Sequence, residues 1–262
     1  MILTNDNYYS SEANWEYMSV SQYKQFRKCE AMAMAELRGE WERPKSTALL
    51  VGSYVDSYLE GTLDAFKLEN PEIFKKDGTL KADYIQAEEI IARIESDEVF
   101  TEYMSGEKQR IFTGLLSGTP WKIKVDSLLP DKIVDLKVMR SMERIMGKSF
   151  VEYWGYDLQM AVYSAIHGDN LDTFLAVATK QTPSDLEIIH VPQWRREELL
   201  EEVERFLPHI IDVKSGKIEP ERCGVCEYCR ATKKLKEPID FELVGLSLAE
   251  RKALFGGLSY DK

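Results

Sequence analysis

The spacing of apolar residues changes along the chain and predicts an α/β protein. A helical period near the N-terminus gives way to short alternating runs, and the two patterns then interleave. We predict helices over 19–38, 46–61, 82–94, 150–167 and 194–214. We predict strands over 110–116, 121–128, 132–138, 173–179 and 186–191. Because the first three strands follow one another through short turns, they should form an antiparallel meander. The expected fold is a central mixed β-sheet flanked by helices.

Two carboxylates and a lysine lie on the second and third predicted strands. Asp126 is on one strand, and Asp135 and Lys137 are on the next. Residues i and i+2 of a strand point to the same face, so Asp135 and Lys137 should lie together, close to Asp126. Carboxylates bind Mg²⁺, and a nearby lysine can stabilise charge during phosphodiester hydrolysis. The same spacing is also compatible with solvated hairpin charges, so this pattern alone leaves both interpretations open.

The helix predicted after these strands carries a second candidate pair. Gln159 and Tyr163 are four residues apart and therefore share one helix face. An amide and a phenol can contact a phosphate or a base edge. A core tyrosine beside a surface glutamine is the alternative interpretation of this pair.

Taken in order, Asp126, Asp135-Leu-Lys137 and Gln159-xxx-Tyr163 resemble the PD-(D/E)XK nucleases of the RecB type, and most of all the RecE-like exonucleases of phages and prophages. The segment Ser19-Val-Ser-Gln-Tyr-x-x-Phe-x-x-Cys29 is similar to the opening helix of RecB- and AddB-type domains. The segment Gly52-Ser-Tyr-Val-Asp56 is similar to their first motif, with Asp56 where the family usually has histidine.

The resemblance implies a restriction-endonuclease-like core and a role for each motif residue. Asp56, Asp126 and Asp135 would bind Mg²⁺ or Mn²⁺, and Lys137 would act on the water or the phosphate. Gln159 and Tyr163 would position DNA.

Four cysteines form a second candidate site. Three lie in Cys223-Gly-Val-Cys226-Glu-Tyr-Cys229, and Cys29 is almost two hundred residues upstream. In a reducing compartment this spacing favours a metal site over disulfides. The resemblance to AddB-type domains implies a [4Fe–4S] cluster. Structural zinc bound by four cysteines is the alternative, with free thiols a third. Either metal would clamp the first helix to the C-terminal segment and close a very long loop.

Composition and charge limit the classes of function. At 44% hydrophobic residues the chain is globular, and its net charge of −11 argues against non-specific binding of nucleic acid over the whole surface. Contact with DNA would then depend on local basic groups, namely Arg140, Arg144 and Lys148; Arg195 and Arg196; and Lys233, Lys234 and Lys236. No apolar run approaches the roughly 20 residues of a membrane span. The polar N-terminus does not resemble a signal peptide, so we expect a cytoplasmic protein.

The sequence thus predicts a metal-dependent, ATP-independent DNA exonuclease. The resemblance implies 5′→3′ digestion of linear duplex DNA in phage-type recombination or DNA processing. DNA and a single-strand annealing protein are the expected partners, and homo-oligomerisation is compatible with this assignment. We expect one nuclease domain over 1–237 with the cysteine clamp, and a tail over 238–262 with a short helix at 249–255. The alternatives are a single-strand or structure-specific nuclease and a non-catalytic DNA-binding or assembly module.

Overall fold

The computed structural model describes residues 1–42, 47–169, 171–235, 238–247 and 250. The helices are α1 Ser11–Glu16, α2 Val20–Lys28, α3 Glu30–Leu37, α4 Thr47–Glu60, α5 Leu63–Glu69, α6 Ala82–Glu95, α7 Glu98–Tyr103, α8 Phe150–Trp154, α9 Tyr156–His167, α10 Gln193–Lys214 and α11 Glu227–Ala231. The strands are β1 Glu107–Leu116, β2 Thr119–Leu128, β3 Lys132–Met139, β4 Asp172–Thr179 and β5 Leu186–Val191. Short 3₁₀ helices span Pro71–Ile73 and Phe241–Leu243. The helix predicted at 249–255 falls outside the described residues except for residue 250, and Lys236 also falls outside them.

The five strands form one mixed sheet in the order β1-β2-β3-β4-β5. The strands β1, β2 and β3 pair antiparallel as a meander, β3 and β4 are parallel, and β5 is antiparallel to β4. A parallel pair needs a crossover, and α8 and α9 lie between β3 and β4 in the chain. The predicted α/β class and the mixed sheet are confirmed.

Successive side chains of β3 alternate between the apolar core and the face of the sheet that carries the candidate site. Val134 and Leu136 belong to an apolar cluster that also contains Tyr54 of α4 and Ile90 of α6. Successive strand residues point to opposite faces, so Asp135 lies on the other face of the sheet. There it is contacted by a side chain of α9, as described below.

Contacts between Cα atoms divide the chain into two compact units. The first contains the described residues of 1–8 and 44–202, and the second contains those of 9–43 and 203–262. The sheet and its apolar cluster belong to the first unit, and the four cysteines belong to the second. A single nuclease domain over 1–237 stays a prediction. Within the described residues, no helix has both the length and the apolar character needed to cross a bilayer.

The predicted continuous helix over 19–38 is wrong at its centre. Cys29 is extended, with φ −166° and ψ 104°, and separates α2 from α3. The exposed backbone groups at this break are satisfied by a distant segment. The amide of Ala31 donates to the carbonyl oxygen of Glu221 at 3.0 Å, and the amide of Glu221 donates to Glu30 Oε2 at 2.8 Å. The first bond gives a partner to an amide in the first turn of α3, which has no acceptor within that helix, and the second ties the Glu30 side chain to the same segment.

The predicted helix over 150–167 is also two helices. Gly155 lies between them with φ 63° and ψ 43°, a left-handed conformation that only glycine adopts readily. The amide of Gly155 donates to the Glu152 carbonyl at 3.2 Å, which ends α8. The chain therefore turns at Gly155 before α9 begins with Tyr156.

Candidate active site

Asp126 is held where β2 and β3 meet. Ser127 pairs with Val134 and Leu128 with Ile133, and the next step of this register sets Asp126 opposite Asp135. At that step the Asp126 side chain takes the place of a backbone acceptor, because the amide of Leu136 donates to its Oδ2 at 2.9 Å. The strand pairing and this bond together fix the orientation of the carboxylate.

Asp135 is buried and makes contacts through both of its carboxylate oxygens. Gln159 Nε2 on α9 donates to Oδ1 at 2.6 Å, and Lys137 Nζ forms an ion pair with Oδ2. The Lys137 ammonium also lies 4.9 Å from the centre of the Tyr156 ring, a cation–π contact. The structure thus brings together Asp126, Asp135, Lys137 and Gln159, which the sequence had selected from two strands and a helix.

Three carboxylates at this site repel one another. Burial raises the pKa of Asp126 well above its usual value, and the charges of Asp135 and Asp56 raise it further. Burial, then the charges of Glu60 and Asp135, raise the pKa of Asp56 to about 7. Burial opposes the charged form of Lys137, but the charges of Asp135 and Asp126 outweigh it and raise the lysine pKa. The raised pKa values show that the ionised forms of Asp56 and Asp126 are disfavoured without a counter-ion, and a bound cation would displace their protons and stabilise both carboxylates.

The glutamine and tyrosine of α9 support Asp135. Gln159 bonds to Asp135 directly, and Tyr163 shares a hydrogen bond with Gln159. Tyr163 is buried, and burial raises its pKa well above the usual value, so the phenol stays protonated. These contacts give the pair a role in holding the carboxylate, whereas contact with DNA stays a prediction.

Gln109 is a site residue that the sequence analysis missed. It lies in β1 between Lys108 and Arg110, which pair with Ser127 and Val125, so its place is opposite Asp126. Its Nε2 donates to Asp126 Oδ1 at 3.3 Å. The backbone has φ 52°, a costly conformation for a residue with a side chain, and such strain is often found at functional sites.

The four cysteines converge on one point. Their sulfurs all lie within 4.8 Å of one another, with Cys29 Sγ 3.6 Å and Cys223 Sγ 3.9 Å from Cys229 Sγ. Three sulfurs face backbone amides at 3.3–3.5 Å, since the amides of Cys223, Cys226 and Cys229 point to the sulfurs of Cys29, Cys223 and Cys226 respectively. Amides directed at sulfur stabilise thiolates. This is the cysteine layout that the sequence predicted.

Comparison with known proteins places this fold and site in a family. A family described as "PDDEXK-like domain of unknown function (DUF3799)" matches residues 19–232, most of the chain. The chain belongs to this PDDEXK-like family. It is also similar to the crystal structure of a protein from Eubacterium rectale that is named as a proposed exonuclease. The two chains are 52% identical with a TM-score of 0.89, over 98% of this chain and 100% of the other.

Two further comparisons add nothing to this assignment. A solved structure of a protein named SSO0001 is 13% identical, with a TM-score of 0.33, over 83% of this chain and 96% of the other, values too low to establish a shared fold. A search of curated proteins found no match.

The carboxylates of this PDDEXK-like chain fit a divalent cation by their chemistry. Asp126 and Asp135 offer carboxylate oxygens that are held in place by the Leu136 amide and by Gln159, and hard cations such as Mg²⁺ prefer oxygen. Asp56 is near enough to raise the pKa of Asp126. Among the described residues, the four cysteines are the group of three or more potential ligands whose ligand atoms lie close enough to share one ion. The three aspartates do not form such a group, so a third ligand at Asp56 stays a prediction.

The spacing of the cysteines fits one tetrahedral ion. Four sulfurs placed about 2.3 Å from a zinc ion lie about 3.8 Å apart. The observed 3.6 and 3.9 Å agree with that value. In a [4Fe–4S] cluster each thiolate binds a different iron and points outward from the cubane, so the four sulfurs stand farther apart. These two distances match four thiolates around one tetrahedral ion, and the [4Fe–4S] cluster stays a prediction.

Replacing Gln109 by glycine tests whether its backbone strain serves the site. We expect Gln109→Gly to fold with equal or higher stability, because glycine adopts φ 52° without strain. Affinity for Mn²⁺ should fall by about 10- to 100-fold, as is usual when a residue that orients a ligand is lost. Isothermal titration and thermal melting measure the two effects. A variant that binds Mn²⁺ as tightly as wild type would show that Gln109 does not position Asp126.

Proposed function

We propose that this chain is a metal-dependent deoxyribonuclease that degrades linear duplex DNA from its ends. The observation that carries the proposal is the buried contact of Gln159 and Lys137 with Asp135, beside Asp126. Such a set binds a divalent cation and presents a positive charge to a phosphate. The similarity to the Eubacterium rectale protein, which is named as a proposed exonuclease, supports action at DNA ends.

The catalytic roles follow from the contacts of each side chain. Asp126 and Asp135 would hold Mg²⁺ or Mn²⁺, with Asp56 as the third ligand. When bound, the ion would supply an activated water and offset the charge of the phosphate. The Leu136 amide and the Gln159 amide keep one oxygen of each main ligand engaged, so both carboxylates are oriented before substrate arrives.

Lys137 acts as a charge and not as a base. Its pKa is raised by Asp135 and Asp126, so the ammonium keeps its proton at neutral pH. The ammonium would therefore act on the phosphate as a charge, and not on the attacking water as a base. A phosphate oxygen that approaches Lys137 Nζ would instead gain a charge-assisted hydrogen bond, which strengthens as negative charge develops during bond cleavage.

The finer features of the proposal are supported by the resemblance to RecE-like exonucleases. They are 5′→3′ polarity and a place in phage-type recombination or DNA processing, in the cytoplasm and with a single-strand annealing protein as partner. Independence from ATP is supported by the lack of a Gly-xxxx-Gly-Lys-Ser/Thr motif in the 262 residues. We propose residues 1–237 as the functional nuclease and 238–262 as a tail.

We also propose that the four cysteines bind a structural zinc ion. The sulfur spacing supports zinc over the [4Fe–4S] cluster that the resemblance implies. Burial raises the pKa of Cys29 to about 12, so its thiolate needs a nearby positive ion. The ion would tie the break between α2 and α3 to the loop that precedes α11.

Digestion of matched linear and circular DNA tests the function. We expect the protein to degrade a linear duplex in Mg²⁺ or Mn²⁺ without ATP, and to leave a covalently closed circle of the same sequence intact. Chelation with EDTA should stop digestion, because the carboxylates act through the cation. Duplexes with phosphorothioate linkages at only the 5′ or only the 3′ ends report polarity, and protection by the 5′ block alone is expected.

Other outcomes would select an alternative function. Cutting of the closed circle would indicate an endonuclease, and digestion of single strands alone would indicate a single-strand nuclease. DNA binding without cleavage in any divalent cation would support the non-catalytic module.

A further inference from the structure

Residues 140–155, here called the connector, join the two elements that carry the site. The connector begins three residues after Lys137, and it ends next to Tyr156, whose ring centre is 4.9 Å from Lys137 Nζ. Trp154 is two residues from Tyr156, so their Cα atoms are at most about 7 Å apart. Both ends of the connector are therefore anchored beside the candidate active site.

A tight hairpin forms the tip of the connector. Ile145 and Lys148 exchange two backbone hydrogen bonds of 3.0 Å, and Met146 and Gly147 between them have φ 51° and 80°. Two central residues with positive φ make the two-residue turn that normally carries Asn-Gly. A methionine there is held in a strained backbone conformation. The turn nevertheless presents Met146 to solvent, with 88% of its surface exposed.

Two aromatic residues in edge-to-face contact follow the hairpin on α8. The rings of Tyr153 and Trp154 are 4.9 Å apart and nearly perpendicular, and both residues are exposed. The helix that presents them is fixed by a capping box, in which Ser149 and Glu152 bond to each other's backbone amides. The exposed rings of Tyr153 and Trp154 are therefore held in place by α8 before any ligand binds.

The connector also carries local positive charge in an acidic protein. Its charged residues up to the start of α8 are Arg140, Arg144 and Lys148 against Glu143 alone, in a chain of net charge −11. All three basic residues are exposed, and Arg144 Nη1 donates to the Gly147 carbonyl at 2.8 Å, which holds its guanidinium at the tip.

The basic residues Arg195 and Arg196 on α10 are engaged in contacts within the protein. Arg195 is paired with Asp157 and Glu198, whereas Arg196 is buried and bonds to Ser164. Of these two groups of basic residues, the connector is therefore the one available to DNA.

We propose that the connector binds single-stranded DNA next to the active site. The bases would stack on Tyr153, Trp154 and Met146, and the phosphates would meet Arg140, Arg144 and Lys148. This inference rests on the proposed nuclease function and names the form of substrate that the site holds. Stacking requires an open base face, which a duplex offers only where its strands separate. Exposed apolar side chains, methionine among them, also insert between bases in other DNA-binding proteins.

Binding of a labelled 12-nucleotide single strand, measured by fluorescence anisotropy without added divalent cation, tests the connector without cleavage. We expect Trp154→Ala to weaken binding by roughly 5- to 100-fold, the usual effect of losing one stacked base. Trp154→Phe should retain most of the affinity, since a phenyl ring also stacks. Trp194→Ala is the matched control, because Trp194 is 66% exposed but lies outside the connector. Met146→Gly should weaken binding while raising stability, because it removes both the side chain and the strain.

The outcomes separate this inference from the proposed function. If Trp154→Ala, Tyr153→Ala and Met146→Gly all bind the single strand as well as Trp194→Ala does, the connector assignment is wrong. Digestion of linear duplex DNA by wild type would still support the nuclease function in that case. If wild type neither binds the single strand nor cleaves any DNA, both are overturned.

Discussion

Asp135→Asn is expected to lose cleavage by roughly 10³-fold or more while it remains folded. A metal ion at a phosphodiester contributes several kcal/mol to the transition state, and each 1.4 kcal/mol is tenfold in rate. The amide of asparagine has the shape of the carboxylate but is a poor ligand, and Gln159 can still donate to its oxygen. Lys137 keeps Asp126 as a counter-charge. Initial rates on linear duplex in Mg²⁺ measure the effect.

Thermal melting separates loss of the metal from loss of the fold. Without divalent cation, Asp135→Asn should remain folded but melt below the wild-type temperature, because the buried Lys137 loses its nearest counter-charge and the relief of repulsion among the carboxylates offsets only part of that loss. Saturating Mn²⁺ should raise the wild-type melting temperature by roughly 5 °C or more, and should leave the variant unchanged. Asp131→Asn is the control, since Asp131 is exposed in the turn before β3 and should retain activity. Wild-type cleavage by folded Asp135→Asn would remove Asp135 from the site.

The strands and the central contacts of the site could be predicted because they depend on local sequence. Alternating apolar residues located all five strands, and the structure extends four of them by no more than three residues at an end. The i, i+2 relation of Asp135 and Lys137 is a property of any strand, so their contact needed no tertiary information. The i, i+4 spacing of Gln159 and Tyr163 likewise placed the two side chains on one helix face, where they share a hydrogen bond.

The features that sequence patterns missed depend on distant partners or on backbone conformation. Helical periodicity continues through Cys29, and the break there is stabilised by Glu221, nearly two hundred residues away. Gly155 could have signalled the second break, since glycine inside a helical pattern often marks a left-handed turn. Gln109 gave no signal at all, because its role depends on positive φ and on lying opposite Asp126.

Cys229→Ser is expected to remove the bound metal and to destabilise the protein. Cys229 is buried, and its sulfur lies 3.6 Å from that of Cys29 and 3.9 Å from that of Cys223. Wild type should contain one zinc ion per chain by mass spectrometry of the metal and should be colourless, because Zn²⁺ is d¹⁰. The variant should contain little zinc. Its melting temperature should fall by about 10 °C, since zinc binding supplies several kcal/mol of folding free energy.

A strong chelator provides the matched control for this prediction. If the cysteines act only through a shared ion, the chelator should lower the wild-type melting temperature to that of Cys229→Ser and should not lower the variant further. Full additivity of the two treatments would mean that Cys229 stabilises the fold by packing and not by ligation. Brown protein with four irons per chain, purified without oxygen, would instead establish the iron–sulfur cluster, and the sulfurs would then have to move apart from the 3.6 and 3.9 Å observed.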